Sequence, residues 1–174
     1  MSTGGQTEMD FSIRQVEEKD IERLDSLFKE IDEYHRKELP HVFRKPDGPV
    51  RSRDFLLGAL ADQNTVIFIA ETRNQFIGLI YAYVRSIPDI PIRIPRRLGE
   101  VDTIIVKEKY RRYGVGKALM EKAHEWAGHM KLDRLELSVW VFNKGAQDFY
   151  RELNYEPAII RMWKNGPFLQ ASRK

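Results

Sequence analysis

The chain has 174 residues, 42% hydrophobic and 32% charged, with a formal net charge of +3 and no cysteine. The missing thiols exclude disulfides, thiolate metal ligands and a cysteine nucleophile, and they suit a reducing, cytoplasmic setting. The length suits one domain with a full core, and the 29 basic residues are spread rather than massed on one stretch, which speaks against a nucleic-acid binder.

Residues 1–10, "MSTGGQTEMD", have no basic start and no apolar run, so they read as a flexible leader rather than a secretory signal. "FSIRQV" alternates as a half-buried strand should. In "KDIERLDSLFKEIDEYHRKEL", Ile21, Leu24, Leu27, Phe28 and Ile31 fall at helical spacing, and Pro40 closes the helix. "SRDFLLGALAD" is a short second helix capped by Ser52 or Asp54. "TVIFIAET" and "QFIGLIYAYV" are strands joined across "RNQ" as a hairpin. The apolar run from Phe76 to Val84 is roughly half of what a membrane span needs.

"SIPDIPIRIPRR" carries three prolines that a central strand would not tolerate and reads as an extended loop. "GEVDTIIV" is the next strand. From Gly114 the pattern turns helical, with Val115, Ala118, Leu119, Ala123, Trp126, Ala127 and Met130 forming one apolar stripe. "DRLELSVWV" is a strand, "NKGAQDFYREL" a short helix capped by Asn143, and "YEPAIIRMWK" a final strand. The expected order is β-α-α-β-β-β-α-β-α-β, a mixed sheet with helices on its faces, in a domain of residues 11–164 with a tail of 165–174.

"RRYGVGKAL", Arg111 to Leu119, places two glycines one residue apart at the start of a helix. A P-loop needs G-x-x-x-x-G-K-[ST], but Arg111 stands at its first position and Ala118 at its last. A dinucleotide fingerprint needs a third glycine where Leu119 stands, and an acid at the end of the next strand, where Val139 and Trp140 stand. The loop still makes sense as an anion cradle. First-turn N–H groups and the helix dipole favour a diphosphate, and Arg111, Arg112 and Lys117 can add charge. A basic turn eased by glycines is the alternative.

"VDTIIV", then "RRYGVGKAL", then "NKGAQDFYRELNYE" some thirty residues on, resembles the GCN5-related N-acetyltransferase (GNAT) superfamily over roughly Gly99 to Glu156. Asn154 stands where that family often has glycine, and asparagine also tolerates a left-handed helix end. The resemblance implies a central, mostly antiparallel mixed sheet flanked by helices, and acetyl-coenzyme A as co-substrate. Its diphosphate would lie on the loop of Arg111, Arg112, Tyr113, Gly114, Val115, Gly116 and Lys117. Its pantetheine arm would lie along Ile104, Ile105 and Val106, with the N–H of Ile105 polarising the thioester carbonyl. Asn143, Ala146 and Phe149 would complete the co-substrate contacts.

The same resemblance assigns Tyr150 as general acid toward the leaving sulfur; as a bare sequence position it reads equally as a core aromatic. Asp102 corresponds to the strand carboxylate used as base, with Glu100 its competitor. Alternation puts Glu100, Asp102, Ile104 and Val106 on one face, an apolar row that would raise a carboxylate pKa. With no cysteine and no G-x-S-x-G elbow, direct attack by an amine is the simpler mechanism.

The expected activity is therefore acetyl transfer to a primary amine of a small molecule, peptide or protein. A catalytically silent coenzyme A-binding module is the alternative, and a nucleic-acid binder a weaker one. Tyr34, His35, Glu38, His41 and Phe43 are candidates to line the acceptor pocket. The spacing of the four histidines offers no metal site. The resemblance is compatible with a homodimer.

Overall fold

The computed structural model describes residues 9–73, 75–164 and 166. Most of the expected leader, the tip residue of the "RNQ" hairpin and nearly all of the expected tail lie outside the described residues. The chain resolves into two compact units, Met1–Ser138 and Val139–Lys174.

The first unit is built on β1 (Ser12–Gln15), α1 (Ile21–Glu38), α2 (Arg53–Ala61), β2 (Thr65–Glu71), β3 (Phe76–Ile87), β4 (Arg96–Val106), α3 (Val115–His129) and β5 (Leu135–Leu137). The five strands form one sheet in the order β1-β2-β3-β4-β5. The first three pairings are antiparallel, and β4 with β5 is parallel. This is the mixed, mostly antiparallel sheet expected from the sequence. Among the described residues no helix is long and apolar enough to cross a membrane.

One face of the sheet packs on α1 and α2. Leu24, Leu27 and Phe28 from α1 and Leu56 and Ala59 from α2 are buried with Ile67 and Ile69 of β2, Leu79 of β3 and Ile105 of β4. Each fully buried Leu, Ile or Phe contributes about 1.5–3 kcal/mol through its apolar area. The other face packs on α3 through buried Val115, Leu119, Met120, Ala123 and Ala127. The helix comes close at Gly78, where a Cβ would stand 2.8 Å from the Ile105 carbonyl and 3.1 Å from the Leu119 side chain.

Helix ends follow local chemistry. The Ser52 hydroxyl accepts the Phe55 N–H at 3.1 Å and is the cap of α2. α1 ends at Glu38, ahead of Pro40. Between β1 and α1 the chain is held by charge: Arg14 reaches Asp20 at 2.6 Å and Glu71 at 2.7 Å. Asp20 is only 1% exposed and also accepts the Glu17 N–H at 2.9 Å. A buried carboxylate so satisfied is tolerable; one left alone would not be.

The second unit holds α4 (Lys144–Glu152). Asn143 caps it, its Oδ1 accepting the Ala146 N–H at 3.1 Å, and Asn154 follows with φ 63°, the left-handed conformation expected there. The expected final strand over 155–164 does not form. That segment is extended coil, with Ile159 89% and Ile160 84% exposed. Strand propensity without a paired neighbour does not make a ladder, and among the described residues this unit contains no other strand to pair with.

The limits of three strands also differ from expectation. β3 and β4 each run three residues past their expected ends, two of them within "SIPDIPIRIPRR", with Ser86 opposite Arg97 and Ile87 opposite Arg96. The three prolines stay outside the ladder, in the loop between. The strand expected over 133–141 is confined to Leu135–Leu137.

Candidate active site

Gly114 opens α3 in the left-handed conformation, φ 82°, and Arg112 two residues earlier has φ 68°. A Cβ at Gly114 would meet nothing within 4 Å, so the glycine is required for its backbone angle and leaves open space before the helix. It supplies no side-chain cap. The first intrahelical bond is Ala118 N–H to the Gly114 carbonyl at 3.0 Å. Among the described residues the N–H groups of Val115, Gly116 and Lys117 therefore point from the helix end without a partner. Such a terminus, with its dipole behind it, is suited to an anion.

The side chains around this loop divide. Tyr113 is 47% exposed, and Arg112 and Lys117 are exposed as well. Lys117 approaches Glu121 at 4.0 Å. Arg111 is turned back, its Nε donating to the Val106 carbonyl at 2.9 Å and its guanidinium 3.6 Å from Glu30 of α1.

Immediately before the loop, β4 has one edge only partly covered. β5 pairs with Gly99, Glu100 and Val101, and among the described residues no strand pairs with Asp102–Val106 on that side. The Lys107 N–H bonds to the Ile77 carbonyl at 2.9 Å, toward β3. Antiparallel alternation then turns the backbone of Ile105 toward Leu79 and leaves that of Ile104 and Val106 facing the open edge. The expectation of an outward N–H at Ile105 is corrected: that residue is 7% exposed and spends its side chain on the core and its backbone on the ladder.

A β-bulge produces a second correction. Tyr81 pairs with Thr103 and Ala82 with Val101, so Asp102 is the extra residue. Before the bulge, Gly99 faces α3, with a Cβ position 3.5 Å from the Trp126 ring, and Glu100 lies on the opposite face beside its partner Tyr83. After it, Val106 lies opposite Gly78 on the α3 face, as does Ile104 opposite Ile80. Glu100, Asp102, Ile104 and Val106 therefore do not share a face. Asp102 is exposed rather than set in an apolar row, and it accepts the Thr103 hydroxyl at 2.8 Å.

The two carboxylates differ in their partners. Glu100 is paired with Arg85 of β3 at 2.8 Å, and Arg85 also holds Glu136 of β5. Among the described residues Asp102 has no ion pair. Its charge, after burial, is the next cause holding the Tyr81 phenol above its usual range. Tyr83 is raised too, by burial first and then by Glu100 and Asp102. Tyr81 and Tyr83 are neighbours, ring centroids 6.1 Å apart, and Phe55 of α2 meets Tyr81 edge-on at 6.2 Å. These three aromatics were not singled out in the sequence. The alternation Tyr81-Ala82-Tyr83 was the available signal, since it places both rings on one face.

Of the acceptor candidates, His35 stacks on Phe43 at 5.6 Å and 23°, and Tyr34 lies against His35 at 5.9 Å. Burial pulls the His35 imidazole below its ordinary pKa. Glu38 and His41 are exposed and not drawn into that group. Among the described residues no cluster of His, Asp and Glu could hold a metal ion.

In the second unit, Tyr150 is 9% exposed, and burial, with Tyr155 adding, pushes its phenol up to about 12. Its ring lies 5.3 Å from that of Phe149 and 5.9 Å from that of Tyr155. Ala146 and Phe149 are half-buried on the same helix.

Comparison with known proteins bears on this geometry. An uncharacterized N-acetyltransferase of Methanocaldococcus jannaschii is 32% identical over 97 residues, 55% of this chain and 42% of that protein, so the chain spans less than half of that relative. One of Bacillus subtilis is 26% identical over 145 residues, 83% of this chain and 89% of that protein. Among solved structures, a Bacillus halodurans protein, crystallised as a tetramutant, superposes with a TM-score of 0.83 at 21% identity, covering 88% of this chain and 99% of that one. An aminoglycoside N-acetyltransferase in complex with CoA superposes with a TM-score of 0.68 at 18% identity, covering 90% and 95%. The sequence model of the acetyltransferase (GNAT) family matches residues 24–155, well over half of the chain. The chain belongs to the acetyltransferase (GNAT) family.

Proposed function

We propose that residues 11–164 act as one acetyltransferase domain that moves acetyl from acetyl-coenzyme A directly to a primary amine. The unpartnered N–H groups of Val115, Gly116 and Lys117 behind Gly114 are the observation that carries this reading. They would receive the diphosphate, with Arg112 and Lys117 adding charge. The open edge, through the backbone of Ile104 and the Val106 N–H, would receive the pantetheine amides as an added strand does, the Val106 carbonyl being held by Arg111. The Ile104 N–H, two residues beyond Asp102 and facing that edge, is the donor assigned to the thioester oxygen.

In the reaction the amine nitrogen attacks the thioester carbon, the C–S bond breaks and an amide forms. Asp102 takes the proton of the incoming ammonium, directly or through one water. Tyr150 gives its proton to the departing thiolate, and the nitrogen of the tetrahedral intermediate releases its second proton to solvent, from which Tyr150 recovers one. A phenol pushed up to about 12 stays protonated at neutral pH, as a general acid requires. Glu100, neutralised by Arg85, is a lesser base.

The acceptor is a cationic amine lying against Tyr81 and Tyr83, where aromatic faces and the Asp102 charge both favour it. A small polyamine, an amino sugar, a peptide N-terminus and a lysine all carry that group. A cytoplasmic homodimer is the setting we attach to this reading; sedimentation at working concentration tests the assembly.

The deciding experiment measures free thiol released from acetyl-coenzyme A over a panel of such amines. Release above the hydrolysis background with at least one amine is expected. Tight binding of the co-substrate with no release on any amine favours a silent binding module instead.

A further inference from the structure

Glu30 lies on α1, 78 residues before the strand-to-helix loop, yet its Oε1 accepts the Glu108 N–H at 3.0 Å and stands 3.6 Å from the Arg111 guanidinium. Arg111 in turn donates from Nε to the Val106 carbonyl at 2.9 Å. Between them runs a single 3-10 turn, Glu108–Tyr110, closed by the Tyr110 N–H on the Lys107 carbonyl at 2.8 Å and the Arg111 N–H on the Glu108 carbonyl at 3.1 Å. Gln75 adds a bond to the Tyr110 hydroxyl. The segment leading into Gly114 is thus fastened to α1 at its first residue and to the end of β4 at its last.

We propose that Glu30 is a positioning residue for the diphosphate site, holding the turn so that the amides of Val115, Gly116 and Lys117 converge on one point. Two observations need such a strut. Arg112 sits at φ 68°, a conformation a non-glycine residue leaves unless its surroundings hold it. Arg111, the first basic residue of the loop, bridges the Val106 carbonyl and Glu30 although its side chain remains 48% exposed. Glu30 thereby steadies Arg111 along the turn that Arg111 joins to the end of β4.

This inference rests on the co-substrate reading above, and its sign separates it from a bystander charge. A carboxylate merely close to a bound diphosphate repels it, so its removal would tighten binding. A carboxylate that positions the amides must, on removal, weaken binding although a negative charge has gone.

The test compares wild type, Glu30→Ala, Glu30→Met and Glu30→Gln by calorimetry with coenzyme A and by steady-state kinetics with acetyl-coenzyme A and with S-acetylpantetheine, which lacks the diphosphate. Glu30→Ala and Glu30→Met are expected to weaken coenzyme A binding on the order of fivefold, a loss of about one hydrogen bond's net worth. They should raise KM for acetyl-coenzyme A by a similar factor with kcat within about twofold. Kinetics with S-acetylpantetheine should not change. Glu30→Gln, which keeps an acceptor for the Glu108 N–H, should recover most of the loss. Binding by the Ala and Met variants that equals or exceeds wild type overturns the inference while leaving the co-substrate reading intact. So does an equal loss on both thioesters, or melting far below wild type in both variants, since each makes the role one of general structure. Failure of the wild type itself to bind coenzyme A overturns both.

Discussion

Arg85 of β3 holds Glu100 of β4 at 2.8 Å, and two residues further on Asp102, displaced by the bulge, is left without an ion pair among the described residues. The two candidate bases are thereby made unequal by one inserted residue. Asp102→Asn should lower kcat/KM roughly a hundredfold, within the usual worth of a positioned base. The loss should be greatest at low pH, where free amine is scarce, and should shrink as pH rises. Glu100→Gln should cost much less. A pH–rate profile unchanged in Asp102→Asn would remove it from the mechanism.

Tyr150 yields a prediction with a sign. Its phenol is pushed up to about 12 by burial and by Tyr155, so it keeps its proton throughout the range in which amines are assayed. No falling limb between about pH 7 and about pH 10 should come from this group. Tyr150→Phe should lower kcat by roughly ten- to a hundredfold at every pH in that range, and thioesters with more acidic thiols should suffer less. Equal losses for good and poor leaving groups would show that the tyrosine only packs.

Gly114 separates backbone from contact. A Cβ there meets nothing within 4 Å, so Gly114→Ala introduces no clash, only the cost of φ 82° for a residue with a side chain. That strain is about 1–2 kcal/mol. The variant should fold with a slightly lower Tm and bind coenzyme A distinctly more weakly, because the loop relaxes and the methyl enters the anion's space. Undiminished affinity would contradict the assignment of the loop.

Asp20 and Arg14 set a stability prediction remote from catalysis. The Arg14 hydrogen bond is the largest cause holding the Asp20 carboxyl below its usual range, with burial opposing. A carboxyl depressed in the folded state contributes stability that is present above its unfolded pKa of about 3.9 and lost as pH falls through the folded value. The loss therefore belongs to acid conditions below about pH 4, not to neutral pH. Asp20→Ala should destabilise the fold by about 2–3 kcal/mol, because Arg14 keeps Glu71 but the Glu17 N–H loses its acceptor. Urea denaturation at neutral pH measures it; a change below about 0.5 kcal/mol would contradict the pairing.

Much of the site was legible because its signals are local. Glycine spacing marked the start of α3 but not its left-handed entry, Asn143 and one of the pair Ser52 and Asp54 announced caps, and Asn154 announced a left-handed helix end. The family motif pointed to the loop, the strand and Tyr150 as candidates. What was not legible depends on residues far apart. Nothing in "EVDTI" marks Asp102 as inserted, since period-two reading assumes a ladder without bulges. The Arg85–Glu100 and Glu30–Glu108 contacts join separate elements and leave no spacing pattern. Residues 155–164 have strand composition, but composition cannot supply a neighbour to pair with.

The central claim is that main-chain amides at the start of α3 grip a diphosphate, and backbone amide chemical shifts report on it most directly. Adding coenzyme A to the isotopically labelled protein should move the signals of Val115, Gly116 and Lys117 most, whereas pantetheine, without the diphosphate, should move Ile104 and Val106 and spare those three. Saturable binding of coenzyme A that leaves the three amides where they were would contradict it.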